Sequence, residues 1–289
     1  MKTFAKRLLI LMIAAMTLAQ ALPAMASESG YPSFSQTPCA YSVTEMPVSS
    51  GDKSIYGKLY LPEGDGPFPT VIMCHGFNSN EGSWAYTANV LAGSGFACYA
   101  FDFCGGNTLK RSSGGTTSMS ALTEKQDLFD VMDAIKPQPF CDADRLFLMG
   151  ESLGGLVTAL AVAERGEEVR AIVLHYPAFS MVAGAKESYA SVEDIPTRLR
   201  FSGVAIGPQF YGDVLDIDLD AVMAAYDGPV HILHGDADEL VPLASSEEAV
   251  TKFPNAALTV MPGQGHGFDE ASKLAAAEIA YQLFSGALE

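Results

Sequence analysis

The sequence has few basic residues for its length. Its 17 Lys and Arg residues stand against 34 Asp and Glu residues, which gives a formal net charge of −17 at pH 7. Nucleic acids and anionic membranes bind proteins largely through clustered Lys and Arg side chains. The charge balance therefore argues against both as partners and favours a neutral or cationic small molecule as the substrate.

Cysteine is scarce, and its spacing follows no metal-binding pattern. The chain has five cysteines, an odd number, with no Cys-x-x-Cys pair and no cluster of cysteine with histidine. Metal sites in proteins typically need such clusters, so we predict no metal site. Cys74 and Cys98 lie within apolar runs, which indicates buried hydrophobic side chains. Disulfide pairing among the five stays open.

Long apolar runs are confined to the N-terminus. Basic residues at 2–7 precede an apolar stretch at 8–18, and Ala24-Met-Ala26 fits a small-x-small cleavage site. This pattern predicts a secretory signal peptide cut after Ala26, with an uncleaved anchor as the alternative. Residues 27–289 would then form one large domain, periplasmic or secreted. No later segment has the ~20 continuous apolar residues of a membrane span, so we expect no stable membrane insertion after cleavage.

Apolar runs of strand length alternate with helical patterns along the rest of the chain. This alternation predicts a mostly parallel central sheet with helices on both faces. Residues 177–227 interrupt it with Gly, Pro and aromatic clusters and no clear strand, which predicts an inserted cap. The predicted strands are 54–61, 70–74, 96–103, 146–149, 169–176, 228–234 and 257–261. The predicted helices are 84–91, 118–136, one beginning at 153, 245–252 and 270–284.

One serine lies at a junction of predicted strand and helix. Gly150-Glu-Ser152-Leu-Gly154 fits the pattern Gly-x-Ser-x-Gly, with an apolar strand before it and a helical pattern after it. Glycines at 150 and 154 allow a turn too tight for side chains, which would expose the serine hydroxyl beside the N-terminal amides of the helix. We predict Ser152 to be a nucleophile. The alternative is a chance occurrence of the pattern in a loop.

A serine hydroxyl needs a base within hydrogen-bond reach. His266 lies in Gly263-Gln-Gly-His-Gly267, after the last predicted strand, with glycine on both sides. Such a loop can present an imidazole over the edge of the sheet, so we predict His266 to be the base. The other histidines lie within or at the ends of predicted strands, and we expect them to satisfy local polar groups: His75, His175, His231 and His234.

The base in turn needs an orienting carboxylate, expected between serine and histidine in the chain. The acidic loop after the strand 228–234 offers Asp236, Asp238 and Glu239. We favour Asp238, which lies further out on the loop, whereas Asp236 could stabilise the turn. A solvated acidic loop is the alternative for any one of them.

An oxyanion formed at the serine needs two backbone N–H donors. One is predicted at Leu153, directly after the nucleophile. The strand 70–74 ends in His75-Gly76-Phe77, and we assign the second donor to Phe77. Its side chain would then line the acyl pocket.

Together these motifs resemble the α/β-hydrolase fold family over nearly all of residues 27–289. Within that family the sequence is most similar to bacterial feruloyl and cinnamoyl esterases, through residues 194–201, 209–211 and 234–242. The resemblance implies that the cap holds the phenolic part of the substrate and that Tyr211 faces it. It also implies that Asp238 is the acid of the triad. Glu151 stands where those esterases usually have histidine.

The resemblance implies a two-step hydrolysis of a small-molecule carboxylic ester through an acyl-enzyme, with no cofactor. A serine peptidase of the prolyl-oligopeptidase type is the first alternative, although those enzymes usually carry a large propeller for which this chain has no room. A monoacylglycerol-type lipase is another. A non-catalytic binding protein is the third, but such proteins typically lose one of the three triad residues.

Overall fold

A computed structural model describes residues 38–288, and an eight-stranded sheet forms its centre. The predicted signal peptide lies outside the described residues. The strands are β1 Tyr41–Glu45, β2 Val48–Ser50, β3 Lys53–Ile55, β4 Gly57–Pro62, β5 Phe68–Cys74, β6 Ala97–Phe101, β7 Cys141–Glu151, β8 Ala171–His175, β9 Leu199–Phe201, β10 Val204–Ile206, β11 Val230–Gly235 and β12 Ala256–Met261. The α-helices are α1 Ala85–Gly93, α2 Ala121–Ile135, α3 Leu153–Arg165, α4 Ser180–Ser188, α5 Gln209–Gly212, α6 Leu219–Ala224, α7 Leu243–Ala249 and α8 Glu270–Gly286.

The sheet is mostly parallel. Its strand order is β1–β4–β6–β5–β7–β8–β11–β12. Only β4 runs against its neighbours β1 and β6, and the pairs from β6 to β12 are all parallel. The predicted fold class is thereby confirmed. Strand β1 was not predicted, because it lies at the sheet edge with mostly exposed side chains and lacks a continuous apolar pattern.

The inner strands are apolar throughout because helices cover both faces of the sheet. On β5, Val71 and Met73 belong to one hydrophobic cluster, and Ile72 and Cys74 belong to the other. This alternation follows from the two-residue period of a strand. The first cluster includes residues of α1 and α8, and the second includes residues of α2 and α3. The sheet is therefore a rigid support for the loops at its carboxyl edge.

Three short α-helices and a hairpin separate β8 from β11. This inserted segment, residues 177–227, contains α4, β9, β10, α5 and α6. The expectation of no clear strand was wrong, since β9 and β10 pair antiparallel. Their turn is Ser202-Gly203, with φ of 46° and 81°, the positive values that a two-residue hairpin turn requires. Strands of three residues are too short for alternation to reveal them.

Three absences hold for residues 38–288. No helix there is long and apolar enough to cross a membrane. The same residues contain no group of three or more His, Cys, Asp or Glu side chains arranged to hold a metal ion. All five cysteines are free thiols, with Cys74 and Cys98 buried in β5 and β6.

Candidate active site

Ser152 occupies the sharp turn between β7 and α3. Its φ of 52° and ψ of −118° are unusual for a residue with a side chain, and such strain is typical of functional positions. The turn depends on close backbone contact, because a methyl group at Gly150 would overlap the carbonyl of Gly154, and one at Gly154 would overlap that of Cys74. The Ser152 N–H donates to the carbonyl of His175 at 2.9 Å. The serine is thereby held at the carboxyl edge of the sheet.

His266 lies in the loop after β12 and contacts both predicted partners. Its Nε2 is 2.9 Å from Ser152 Oγ, and its Nδ1 is 2.8 Å from Asp238 Oδ2. A carboxylate only accepts hydrogen bonds, so the ring proton is on Nδ1, and the Nδ1–H group donates a hydrogen bond to Asp238. Nε2 is then left with a lone pair facing the serine hydroxyl. This arrangement allows His266 to remove the serine proton.

Asp238 is held in place by two backbone donors. Its Oδ1 accepts from the N–H groups of Leu240 and Val241, each at 2.9 Å, and its side chain is fully buried. Asp236 instead accepts from the N–H of Gly263 at 2.6 Å and is exposed. The structure thus brings Asp238 to His266 and uses Asp236 to join two loops. The third candidate acid, at position 239, is exposed.

His234 supports the loop that carries Asp238. Its Nε2 is 2.9 Å from the carbonyl of Val241, and its Nδ1 is 2.7 Å from Ser246 Oγ. The carbonyl only accepts, so Nε2 donates to it and Nδ1 accepts from the serine hydroxyl. Burial lowers the pKa of His234, which keeps the ring neutral in this role.

Phe77 and Leu153, the predicted oxyanion donors, line the same cavity as Ser152. Among the described residues, the N–H groups of Phe77 and Leu153 donate to no protein acceptor. A methyl group at Gly76 would lie 3.0 Å from the Cβ of Ser152, so only glycine lets this loop approach the serine so closely. Leu153 is the first residue of α3, where the helix dipole favours negative charge.

The orientation of the Phe77 N–H follows from its own peptide group. The carbonyl of Gly76 accepts from His75 Nδ1 at 2.7 Å and from the N–H of Ser79 at 3.1 Å. In a trans peptide the C=O and N–H point in opposite directions. Holding the Gly76 carbonyl on one side therefore directs the Phe77 N–H to the other. Burial lowers the pKa of His75, and its Nε2 accepts from the Phe103 N–H.

The loop after β6, residues 104–117, is rich in Gly and Ser and is hydrogen-bonded to this turn. The carbonyl of Gly106 accepts from the Asn78 N–H at 2.9 Å, and Asn78 Oδ1 accepts from the Thr108 N–H at 3.1 Å. Asn78 has a φ of 53°, which asparagine tolerates better than most residues. Arg111 fixes the far end of the loop through ion pairs with buried acids. The loop therefore has a structural role that its composition did not reveal.

A cavity of about 440 Å³ opens onto Ser152 and His266. One wall is an aromatic cluster of Phe77, Phe201 and Phe210, whose ring centroids lie 5.0 to 5.6 Å apart. Phe77 comes from the loop after β5, and the other two rings come from the inserted segment. The expectation that Phe77 lines the pocket agrees with this arrangement.

Tyr211 does not line this cavity in the described chain. Its ring packs against Tyr189 and Phe210, with centroids 5.6 and 5.1 Å away. Successive residues of a helix point about 100° apart, so on the short helix α5 Phe210 faces the cavity while Tyr211 faces its neighbours. Phe210 therefore lines the cavity and Tyr211 does not, and the substrate contact of Tyr211 stays a prediction.

Tyr176 and Glu151 also line the cavity, and the sequence analysis predicted a functional role for neither. Tyr176 follows β8 with a φ of 35°, and its ring centroid is 4.8 Å from that of His266. Its hydroxyl donates to Glu151 at 3.2 Å. The position of Tyr176 at the end of a predicted strand beside the serine turn is the only signal that the sequence offers for it.

Comparison with known proteins agrees with the fold. Residues 65–200 match the profile of the serine aminopeptidase S33 family of hydrolases. This match covers less than half of the chain. Together with the strand order it shows the α/β-hydrolase fold, and the contact between Ser152 and His266 is one that serine hydrolases use.

An esterase and a lipase are among the relatives that the chain matches. The chain is 26% identical to esterase FrsA of Enterobacter sp. (strain 638) over 62% of this chain and 42% of that esterase, less than half its length. It is 25% identical to a monoacylglycerol lipase of Mycolicibacterium smegmatis, over 75% of this chain and 87% of the lipase. The solved structure of Est1E from Butyrivibrio proteoclasticus with ferulic acid bound shares the fold, with a TM-score of 0.75 and 23% identity over 83% of this chain and 99% of Est1E.

Proposed function

We propose that the chain is a carboxylic-ester hydrolase in which Ser152, His266 and Asp238 form the catalytic triad. The observation that carries the proposal is the position of His266, which bridges the serine hydroxyl and the buried carboxylate at 2.9 and 2.8 Å. These distances suit proton transfer from the hydroxyl to Nε2 and stabilisation of the resulting imidazolium by Asp238.

The reaction proceeds in two steps. Ser152 Oγ attacks the ester carbonyl while its proton passes to His266 Nε2, and the tetrahedral intermediate collapses when His266 protonates the leaving alcohol. Water then attacks the acyl-enzyme, with His266 again taking and returning one proton, and the carboxylic acid is released. Both tetrahedral oxyanions accept hydrogen bonds from the N–H groups of Phe77 and Leu153. The steps require no cofactor.

Esters of aromatic acids are the substrates that the cavity suits. Phe77, Phe201 and Phe210 offer ring faces and edges to a flat acyl group, and aromatic pairs in such geometries are favourable beyond their buried area. The cavity volume lies within the range of roughly 300–1,000 Å³ usual for small-molecule sites. The ferulic acid bound to Est1E supports a hydroxycinnamoyl ester as the first substrate to test.

The test is hydrolysis of an ester panel by the chain from Ser27 onward. The panel contains methyl ferulate, methyl p-coumarate, p-nitrophenyl acetate and butyrate, a monoacylglycerol and an aminoacyl-p-nitroanilide. We expect the highest kcat/KM on the two hydroxycinnamates. A preference for the nitroanilide or for the monoacylglycerol would contradict the proposed substrate and favour a peptidase or a lipase.

Ser152→Ala is the control for the mechanism. It should lower kcat by about 10⁴-fold or more, because the nucleophile is lost while the fold is retained. The variant should unfold at the same temperature as the parent chain. Hydrolysis at the parent rate in a folded Ser152→Ala protein would contradict the triad.

We also propose that the protein is exported. The support is the basic and apolar pattern of residues 2–18 followed by the cleavage site at Ala26. Expression of the full chain in a bacterial host followed by N-terminal sequencing of the exported protein should show a start at Ser27. An uncleaved N-terminus in the membrane fraction would favour an anchor instead.

A further inference from the structure

Glu151, the residue before the nucleophile, has a side chain that accepts three hydrogen bonds. Oε1 accepts from the Gly76 N–H at 3.3 Å and from Ser79 Oγ at 3.4 Å, and Oε2 accepts from the Tyr176 hydroxyl at 3.2 Å. A backbone N–H can only donate, and three donors match the lone pairs of an ionised carboxylate. Glu151 itself is only 9% exposed.

Two of these donors belong to the turn that carries the proposed oxyanion donor. The N–H of Ser79 closes the turn onto the carbonyl of Gly76 at 3.1 Å. Phe77 lies between the two residues that Glu151 holds. The carboxylate therefore ties both ends of a four-residue turn to the strand β7, one residue before Ser152. A small tilt of this turn would redirect the Phe77 N–H away from the oxyanion.

The third donor belongs to the opposite wall of the site. The ring of Tyr176 packs against that of His266, and its positive φ shows that the surrounding contacts hold the backbone in an unfavourable conformation. Burial, together with the charge of Glu151, raises the pKa of Tyr176. Its hydroxyl therefore stays protonated and donates to Glu151. One carboxylate thus connects the oxyanion turn with the residue behind the base.

Glu151 has no cationic partner among residues 38–288. A buried carboxylate with only neutral donors is less favourable than an apolar side chain of similar size. The three hydrogen bonds to Glu151 are longer than charge-assisted hydrogen bonds usually are, so they do not offset the cost of burying its carboxylate. Stability alone therefore gives no reason for a side chain with acceptor oxygens at this position, and a role in orienting its three donors does.

We propose that Glu151 is a positioning residue, which holds the turn of residues 76–79 and Tyr176 so that the Phe77 N–H and His266 are aligned with Ser152. The role rests on the proposed ester hydrolysis. Glu151 touches neither the scissile bond nor the transferred proton. It acts through Phe77, whose donor the developing oxyanion needs more than the ground-state ester does, so its loss should appear in kcat.

The experiment compares Glu151→Met with Glu151→Gln. Methionine keeps the length but accepts no such hydrogen bonds, whereas glutamine keeps one carbonyl oxygen for the Gly76 N–H. On p-nitrophenyl acetate we expect the methionine variant to lose roughly 10–100-fold in kcat with KM within about 3-fold, since a displaced oxyanion donor weakens transition-state stabilisation. The glutamine variant should stay within about 5-fold of the parent.

A matched pair of an oxyester and its thionoester separates positioning from general damage. Sulfur accepts hydrogen bonds poorly, so the thionoester gains little from the oxyanion donors. The kcat/KM for the oxyester divided by that for the thionoester, the oxyester preference, should therefore fall in Glu151→Met and stay at the parent value in Glu151→Gln. An unchanged ratio in a folded Glu151→Met protein would overturn the inference. So would a glutamine variant as slow as the methionine variant, because the charge would then be responsible.

Ser79→Ala provides a second route should Glu151→Met fail to fold. It removes one donor from Oε1 and should lower kcat by roughly 2–5-fold with a parallel fall in the oxyester preference. A normal kcat and preference in Ser79→Ala would then overturn the inference. Activity that survives Ser152→Ala would instead contradict the proposed function, so the two failures are distinguishable.

Discussion

The carboxyl edge of the sheet and the inserted segment supply one cavity in different ways. The sheet edge carries the polar groups, Ser152, His266 and Asp238, on loops that follow strands covered on both faces. The inserted segment contributes Phe201 and Phe210 from a three-residue strand and a four-residue helix. Catalytic polar groups must be held in a fixed geometry by a rigid support, whereas an apolar wall tolerates the exchange of one hydrophobic side chain for another of similar size. The comparison suggests that chemistry and substrate choice can be changed separately.

The largest expected effect is a loss of kcat on substitution of a polar residue at the carboxyl edge of the sheet. Asp238→Asn should lower kcat by roughly 10²–10⁴-fold, because the amide no longer fixes the tautomer of His266. Asp236→Asn is the matched control on the same loop and should stay close to the parent, since its amide oxygen can still accept from Gly263. Equal losses in the two variants would show that the loop, and not the carboxylate at 238, matters. The measurement is steady-state hydrolysis of p-nitrophenyl acetate.

Substitutions at two glycines, one in α3 behind the sheet edge and one in α4 of the inserted segment, should show how differently the two regions are packed. Gly154→Ala places a methyl group on the carbonyl of Cys74 and should destabilise the fold by about 1–3 kcal/mol or more. Gly184→Ala lies in the exposed interior of α4 with nothing within 4 Å of the new methyl. It should stabilise the protein by about 0.5–1 kcal/mol through helix propensity. Denaturant unfolding measures both, and an equal response would contradict the difference in packing.

Substitutions in the inserted segment should change the preference among ester substrates. Phe201→Ala should raise KM for methyl ferulate roughly 5–20-fold by removing one ring of the aromatic cluster. The kcat for p-nitrophenyl acetate should change less than about 3-fold, because the sheet edge is untouched. Tyr211→Phe, which lies outside the cavity, is the control and should behave as the parent does. A KM for methyl ferulate that responds to Tyr211→Phe but not to Phe201→Ala would favour Tyr211 as the substrate contact.

The smallest effect concerns the pH dependence of stability. Burial, with a minor contribution from His231, lowers the pKa of His175 to about 3. The unfolded chain binds this proton near its ordinary pKa of about 6.5, so stability falls as pH drops from about 6.5 toward 3. Replacing the imidazole by His175→Leu should reduce the loss of unfolding temperature between pH 7 and pH 5.5 by roughly 2–5 °C. An unchanged slope would place the acid sensitivity elsewhere, for instance in the other buried histidines.

The catalytic half of the cavity was largely predictable and the apolar half was not. Ser152, Asp238 and His266 could be selected because each follows a strand with a strong apolar pattern, and parallel strands end at one edge. Asp238 and Asp236 differ only in contacts made after folding, so the sequence could favour one but not exclude the other. Phe210 and Tyr211 are adjacent aromatic residues on a four-residue helix. Local pattern contains no information on which of the two faces the cavity.

By itself the sequence determined the alternation of strand and helix, the tight turn at Ser152 and the order of the candidate triad along the chain. These features depend on short-range chemistry: apolar periodicity, glycine at close approaches and strand ends that precede loops. Only the tertiary structure decided that Glu151 joins the turn of Gly76 to Tyr176 and that the inserted segment places Phe201 and Phe210 against Phe77. These contacts join residues from 25 to more than 100 positions apart, and their geometry depends on how separate elements pack.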